Sequence, residues 1–249
     1  TNFSVGTCTT GVCAQLGGCC QGFACTTTIS TRCARRGRGF KGGGFNPPSP
    51  PGSESYDEEA TWNVEGGMKA QFAGGHAAAT AAVFFTDWDD LQLNLPNLDV
   101  PGQFYIANVG TARSTGVEFS VTAQPHDGVS LFGTFGYTHA RFGDGSISSG
   151  LDVSGNTIPN TPDFTAGFGA QFTRSLNKYT LYGRGEATVV GEFQYDDFNT
   201  ASQEAYTLVD FSAGVERSRL LFELWVKNAF DERYFPIGFA YGQVGPSAC

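Results

Sequence analysis

Between Thr61 and Ala73 the chain reads TWNVEGGMKAQFA. Trp62, Val64, Met68, Ala70 and Phe72 fall at even positions, and Thr61, Asn63, Glu65, Lys69 and Gln71 at odd ones. A period of two held over such a run argues against a helix, whose apolar residues recur every three to four positions. It specifies a strand with one apolar and one polar face. The same alternation returns in GVEFSVTAQ, DFTAGFGAQFT, YTLYGRGEATVV and LVDFSAGVE. It predicts eight strands, at 61–73, 77–93, 113–125, 128–142, 162–174, 178–192, 205–217 and 219–229. Strands of ordinary globular proteins run to about five or six residues. Most of these are about twice that, a length that suits a tilted wall crossing a bilayer.

The connections alternate as well. GGH, PHD, SLN and the Arg217-Ser218 turn join the first strand to the second, the third to the fourth, the fifth to the sixth and the seventh to the eighth. The other three connections are long. Short turns on one side and long loops on the other are the signature of an outer-membrane β-barrel. The charges agree: Glu65, Lys69, Glu118, Arg184, Glu186, Asp210, Glu216, Glu223 and Lys227 all lie on the polar faces, opposite Phe, Val and Leu. On the lipid side, each Arg or Lys at mid-membrane would cost roughly 2–4 kcal/mol. The expected fold is therefore all-β, an antiparallel transmembrane β-barrel or the C-terminal part of one. Composition fits: Gly 34 and Phe 22 against Met 1 favour strands and turns over helix bundles. No apolar run is long enough for a membrane helix. A net charge of −9 argues against a nucleic-acid partner.

Residues 1–55 form a separate zone, expected to be a Cys/Gly/Pro-rich loop or arm without regular structure, with the barrel strands over 56–249. The start, TNFSVGTCTTGVC, has no basic segment and no apolar core, so it does not read as a signal peptide. Cys8, Cys13, Cys19, Cys20, Cys25 and Cys33 crowd into this zone. They read as local disulfides of an oxidising compartment, with fifteen pairings open. Structural zinc is the rival, but its C-x-x-C spacing is missing and the histidines are distant in sequence. The basic run Arg32, Arg35, Arg36, Arg38 and Lys41 is read as a solvated, glycine-flexible loop in preference to an anion site.

The long loops hold two acidic clusters, Asp87-Trp88-Asp89-Asp90 and Tyr195-Asp196-Asp197. Such carboxylates can bind calcium or a cationic ligand, although a solvated rim is the plainer reading. Phe104 and Tyr105 add exposed aromatics. The ligand-facing candidates are thus Phe104, Tyr105, Asp87, Trp88, Asp89, Tyr195 and Asp196. No cofactor is otherwise expected. His76, His126 and His139 are dispersed, no Gly-x-Ser-x-Gly occurs, and the glycine-rich GRGFKGGG lacks the Lys-Ser/Thr of a phosphate loop, so no enzyme is expected.

Several stretches then take on a family look. WNVEGGMKAQF, with Glu65, Gly67 and Lys69, resembles a strand opening of TonB-dependent outer-membrane receptors. AAVFFTDWDDLQL resembles their next strand. IANVGTARSTGVEF resembles their Asn-x-Gly…Gly-Val-Glu signature through Asn108, Gly110, Gly116, Val117 and Glu118. LFGTFGYTHARF is similar to their strand ending in Tyr-Thr. Pro159 and Pro162 resemble their Pro-x-x-Pro strand entry. LWVKNAFDERYF resembles a motif near the barrel's end, through Val226, Asn228, Phe230, Asp231 and Tyr234. The motifs come in the family's order over residues 56–241. The resemblance implies the C-terminal third of such a receptor, in the outer membrane of a Gram-negative bacterium. It also implies uptake of a scarce nutrient such as an iron chelate, vitamin or oligosaccharide, a TonB-type energising partner and contact with outer-membrane lipid. The family also has a plug, a TonB box, about twenty-two strands and a last strand beyond the Asn-x-Phe-Asp motif; none of these is legible here. The alternative is a small or incomplete barrel serving as a structural or interaction subunit of a larger membrane assembly.

Overall fold

The computed structural model describes the backbone of residues 18–25, 28–47, 49–97, 100 and 102–238, with side chains from residue 32 onward within those ranges. Ten strands form one antiparallel sheet in sequence order. They are β1 (Gly18–Cys25), β2 (Thr28–Lys41), β3 (Glu59–Phe72), β4 (Ala77–Asp89), β5 (Ala112–His126), β6 (Val129–Phe142), β7 (Phe164–Leu176), β8 (Tyr179–Val190), β9 (Tyr206–Arg217) and β10 (Leu220–Val226). Every strand pairs with its sequence neighbour, so the sheet is a meander without crossovers.

The last eight strands sit where alternation places them, within a few residues at most ends. β1 and β2 differ from the sequence expectation of an irregular arm through residue 55. β2 pairs with β3 from Ile29↔Gln71 to Lys41↔Glu59. Hydrophobic periodicity could not reveal it, because β2 carries Arg32, Arg36 and Arg38 where an ordinary wall strand carries apolar residues. Of the cysteines, Cys8 and Cys13 and the side chains of Cys19, Cys20 and Cys25 lie outside the described residues. The backbone register sets Cys20 opposite Cys33.

The short side closes with tight turns. Asn177 (φ 54°) and Ser218 (φ 55°) enter the left-handed region there, and Gly128 does so at φ 78°. Primed two-residue turns need that conformation to match the strands' twist. The registers assign the described wall side chains to a face. Val64, Phe85, Val83, Val117, Phe119, Phe135, Phe168 and Phe211 share one face. Glu65, Lys69, Thr80, Glu118, Ser120, Thr134, Gln171, Arg184 and Glu186 share the other. The apolar face has no protein layer over it: Val83 and Phe168 are both 57% exposed. A sheet this wide with bare Phe and Val is stable where its solvent is hydrocarbon.

Glycines on the polar face serve a packing purpose. Phe84 pairs with Gly116, Phe132 with Gly169 and Tyr182 with Gly214. In each case a Cβ on the glycine would run into the partner's ring. Each ring lies over its opposite glycine, a known device for pinning register in curved sheets.

Candidate functional site

The buried apolar cluster of the described residues lies among the loops of the wall's long side and takes in the strand ends Ala112 of β5 and Phe142 of β6. Leu91, Leu95, Tyr105, Val109, Ala112, Phe142 and Val153 form it, with Trp88, Leu93, Ile158 and Phe198 packed around. Three loops contribute. Gln92–Pro96 pairs with Phe104–Asn108, Ile147–Ser148 with Leu151–Asp152, and Phe193–Gln194 with Ser202–Gln203. The loops are thus folded ribbons over a small core.

Amide side chains lock the segment before β3 onto this cap. Asn46 Nδ2 donates to the Ile106 carbonyl at 2.8 Å, and Ile106 N–H donates back to Asn46 Oδ1 at 3.0 Å. Gln92 Nε2 donates to the Asp57 carbonyl at 2.8 Å, and Asn108 Nδ2 to the carbonyls of Asp57 and Asp90 at 3.1 and 2.8 Å. Gly110, at φ 129°, brings its backbone so close to Ser146 that a Cβ would lie 2.8 Å from Oγ. The Asn108 and Gly110 positions singled out in the sequence are therefore loop anchors. Asn228 acts likewise: its N–H donates to Asp210 Oδ1 at 2.8 Å, and its side chain brackets the Glu232 backbone at 2.9 Å on both sides. Sequence reasoning passed over Asn46 and Gln92; a polar amide in a loop gives no periodic signal.

The loop candidates come together only in part. Tyr105 is buried in the cluster, its hydroxyl 3.4 Å from Ser149 Oγ. Phe104 is half-buried beside it. Alternation splits the Asp87-Trp88-Asp89 run. Trp88 opposes Thr61 on the polar face, while Asp87 and Asp89 oppose Trp62 and Ala60 on the apolar one. Asp87 accepts from Arg113 Nε at 3.3 Å. Asp196 builds a turn, accepting from the N–H groups of Phe198 (2.9 Å), Thr200 (3.1 Å) and Ala201 (2.8 Å) and from the Thr200 hydroxyl (3.1 Å). The Tyr195 hydroxyl lies 3.1 Å from Gln203 Oε1 and against the Phe235 carbonyl. Burial raises the Tyr195 pKa, keeping the phenol neutral. Hydrogen bonds from the Ser154 side chain and backbone hold the Asp152 carboxyl below its ordinary range. Among the described residues no three His, Cys, Asp or Glu side chains converge as a metal site would require.

Below the cap, the polar face is a continuous field of small polar groups and paired charges. Arg35 Nη2 lies 3.1 Å from Glu65 Oε2, and Arg184 Nε 3.0 Å from Glu186 Oε2. A groove of about 430 Å³ runs along Glu65, Lys69, Thr80, Glu118, Ser120 and Thr134. This face can hydrate and hydrogen-bond a polar solute.

The family model described as TonB dependent receptor-like, beta-barrel, matches residues 34–229. Among solved structures, the ferric yersiniabactin uptake receptor FyuA from Yersinia pestis is similar at 25% identity and TM-score 0.72, over 88% of this chain and 32% of that one. The ferric preacinetobactin receptor BauA from Acinetobacter baumannii is similar at 22% and 0.65, over 87% and 32%. The FrpB iron transporter from Neisseria meningitidis is similar at 16% and 0.59, over 90% and 36%. The chain spans about a third of the length of these proteins.

Proposed function

Since this chain belongs to the TonB-dependent receptor-like β-barrel family, whose members are outer-membrane transport proteins and not enzymes, we propose that it forms part of the wall and mouth of a receptor importing a scarce chelated nutrient. An iron chelate is the favoured cargo, ahead of a vitamin or oligosaccharide. The named cargoes of FyuA and BauA, ferric yersiniabactin and ferric preacinetobactin, support that choice. The observation that carries the reading is the sheet's two-sidedness: bare Phe and Val on one face, hydrogen-bonding groups on the other, and a folded loop cap at one end. The apolar face meets lipid, and the cargo passes along the polar one. Lys69 and Glu118, facing the groove, the loop aromatic Phe104 and the strand-end Trp88 are the proposed contacts. A TonB-type protein supplies the energy.

The test is binding of radio-iron-loaded siderophores to outer membranes with and without the protein. Saturable binding that weakens about tenfold or more in Lys69→Ala/Glu118→Ala is expected, as for the loss of two hydrogen-bonding charged groups. Iron-chelate binding no different from that of membranes lacking the protein would remove the cargo assignment.

A further inference from the structure

One row of side chains crosses five neighbouring strands on the apolar face: Arg38, Trp62, Asp87, Arg113 and Arg141. It runs along the loop side of the wall. The next row toward the turns is Arg36, Val64, Phe85, Thr115 and His139. Beyond it come Val83, Val117 and Tyr137, so the charged row marks the upper rim of the apolar band. Polar contacts already engage two of its arginines. Arg113 pairs with Asp87, and Arg141 Nη1 donates to the Gly155 carbonyl and Thr157 Oγ1, both at 3.0 Å. Arg36 and Arg38 differ. Their guanidinium carbons sit 4.6 and 5.5 Å from the centre of the same Trp62 ring. Among the described residues, no carboxylate forms an ion pair with either.

Two cations held on one indole, beside hydrocarbon and with no ion pair among the described residues, form a receptor for a charge that arrives with an acyl chain. The chain's overall charge of −9 makes this local excess of positive charge the more distinctive. Guanidinium forks match phosphate oxygens two at a time. We propose that Arg36, Arg38 and Trp62 bind the phosphate headgroup of an anionic lipid in the outer leaflet, with its acyl chains lying on Val64, Val83 and Val117. The site is independent of any cargo, because it lies on the opposite face of the sheet from the polar groove.

Trp62 also supplies the readout. Of the three tryptophans, Trp88 and Trp225 oppose Thr61 and Ser212 on the polar face. With both replaced by Phe, Trp62 is the chain's single indole, facing lipid. The protein is reconstituted in phosphatidylcholine vesicles doped with either brominated phosphatidic acid or brominated phosphatidylcholine. The expected result is stronger quenching by the acid, equivalent to about fivefold local enrichment per guanidinium. Arg36→Gln/Arg38→Gln abolishes the preference, Arg36→Lys/Arg38→Lys retains part of it, and inorganic phosphate does not compete. Equal quenching by the two lipids overturns the proposal. So does a preference that survives the Gln pair, or one that free phosphate removes. Heat-modifiable gel mobility checks folding; should the Gln pair fail to fold, the lipid comparison in the parent protein still decides.

Discussion

At the scale of single residues, the wall is held in register by what its glycines permit. Gly169 lies directly opposite Phe132, and a Cβ there would also come 2.7 Å from the Gly185 carbonyl. Gly169→Val must therefore displace both a ring and a backbone oxygen. The expected loss is about 1–3 kcal/mol, the usual cost of overpacking, seen as a lowered unfolding midpoint in detergent. Gly183 has nothing within 4 Å of its would-be Cβ and is the control. Equal losses at the two positions would refute the ring-over-glycine account. Arg32 carries the opposite kind of cost. It opposes Met68 on the apolar face, six residues below Arg38. At ~3.3 Å per residue and a ~40° tilt, that places it about 15 Å below the rim, near mid-membrane. Arg32→Leu is expected to stabilise the protein by about 2–4 kcal/mol in bilayers. No gain, or a loss, in a bilayer unfolding titration would mean that Arg32 has an anionic partner at that depth.

At the scale of elements, what was legible and what was not divide by physical cause. Strands β3 to β10 announced themselves because a wall between two solvents must alternate, and each of these strands does so in its own residues. β2 stayed hidden because Arg32, Arg36 and Arg38 occupy its apolar-face positions, so composition pointed to a loop while pairing with β3 makes a strand. The cap was half legible. Turn residues marked where loops begin, but which aromatics they bury depends on ribbons folding against one another, and no local pattern encodes that. Tyr105 shows it: an exposed aromatic by sequence, a core residue in the fold. Asp196 shows it again: by sequence it reads as a solvated rim acid or a cation ligand, and in the fold both its oxygens accept from its own turn. Asp196→Ala removes those hydrogen bonds together. Amide exchange at Phe198, Thr200 and Ala201 is expected to speed up at least tenfold, as for local loss of about 1–3 kcal/mol, while β8 and β9 keep their protection. Unchanged exchange in the turn would show that the ribbon, not the carboxylate, holds it.

At the scale of the whole molecule, the decisive quantity is which solvent each face meets. An ordinary soluble domain buries its large apolar side chains against a second layer. Here the buried cluster of the described residues sits among the loops and the strand ends below them, while Phe168, Phe119 and Phe211 stand 57%, 47% and 49% exposed on one face of the wall. Such a sheet is stable only if hydrocarbon covers that face, and the two faces must then respond in opposite ways to the same substitution. Phe168 and Gln171 lie three positions apart on β7 and point to opposite sides. Phe168→Arg places a guanidinium in the row of Val121, Gly133, Ala187 and Val209 on the lipid face, at an expected cost of about 2–4 kcal/mol. Gln171→Arg places the same group on the polar face opposite Arg184, where water and nearby Glu186 limit the cost to about 1 kcal/mol or less. Both variants are unfolded by denaturant in lipid vesicles and in a short-chain detergent. A Phe168→Arg penalty that is larger in vesicles than in detergent, beside a Gln171→Arg penalty that is small in both, is the signature of one lipid face and one wet face. Penalties of similar size would mean that both faces are covered alike, and the assignment of the arginine-bearing face to the outer leaflet would go with it.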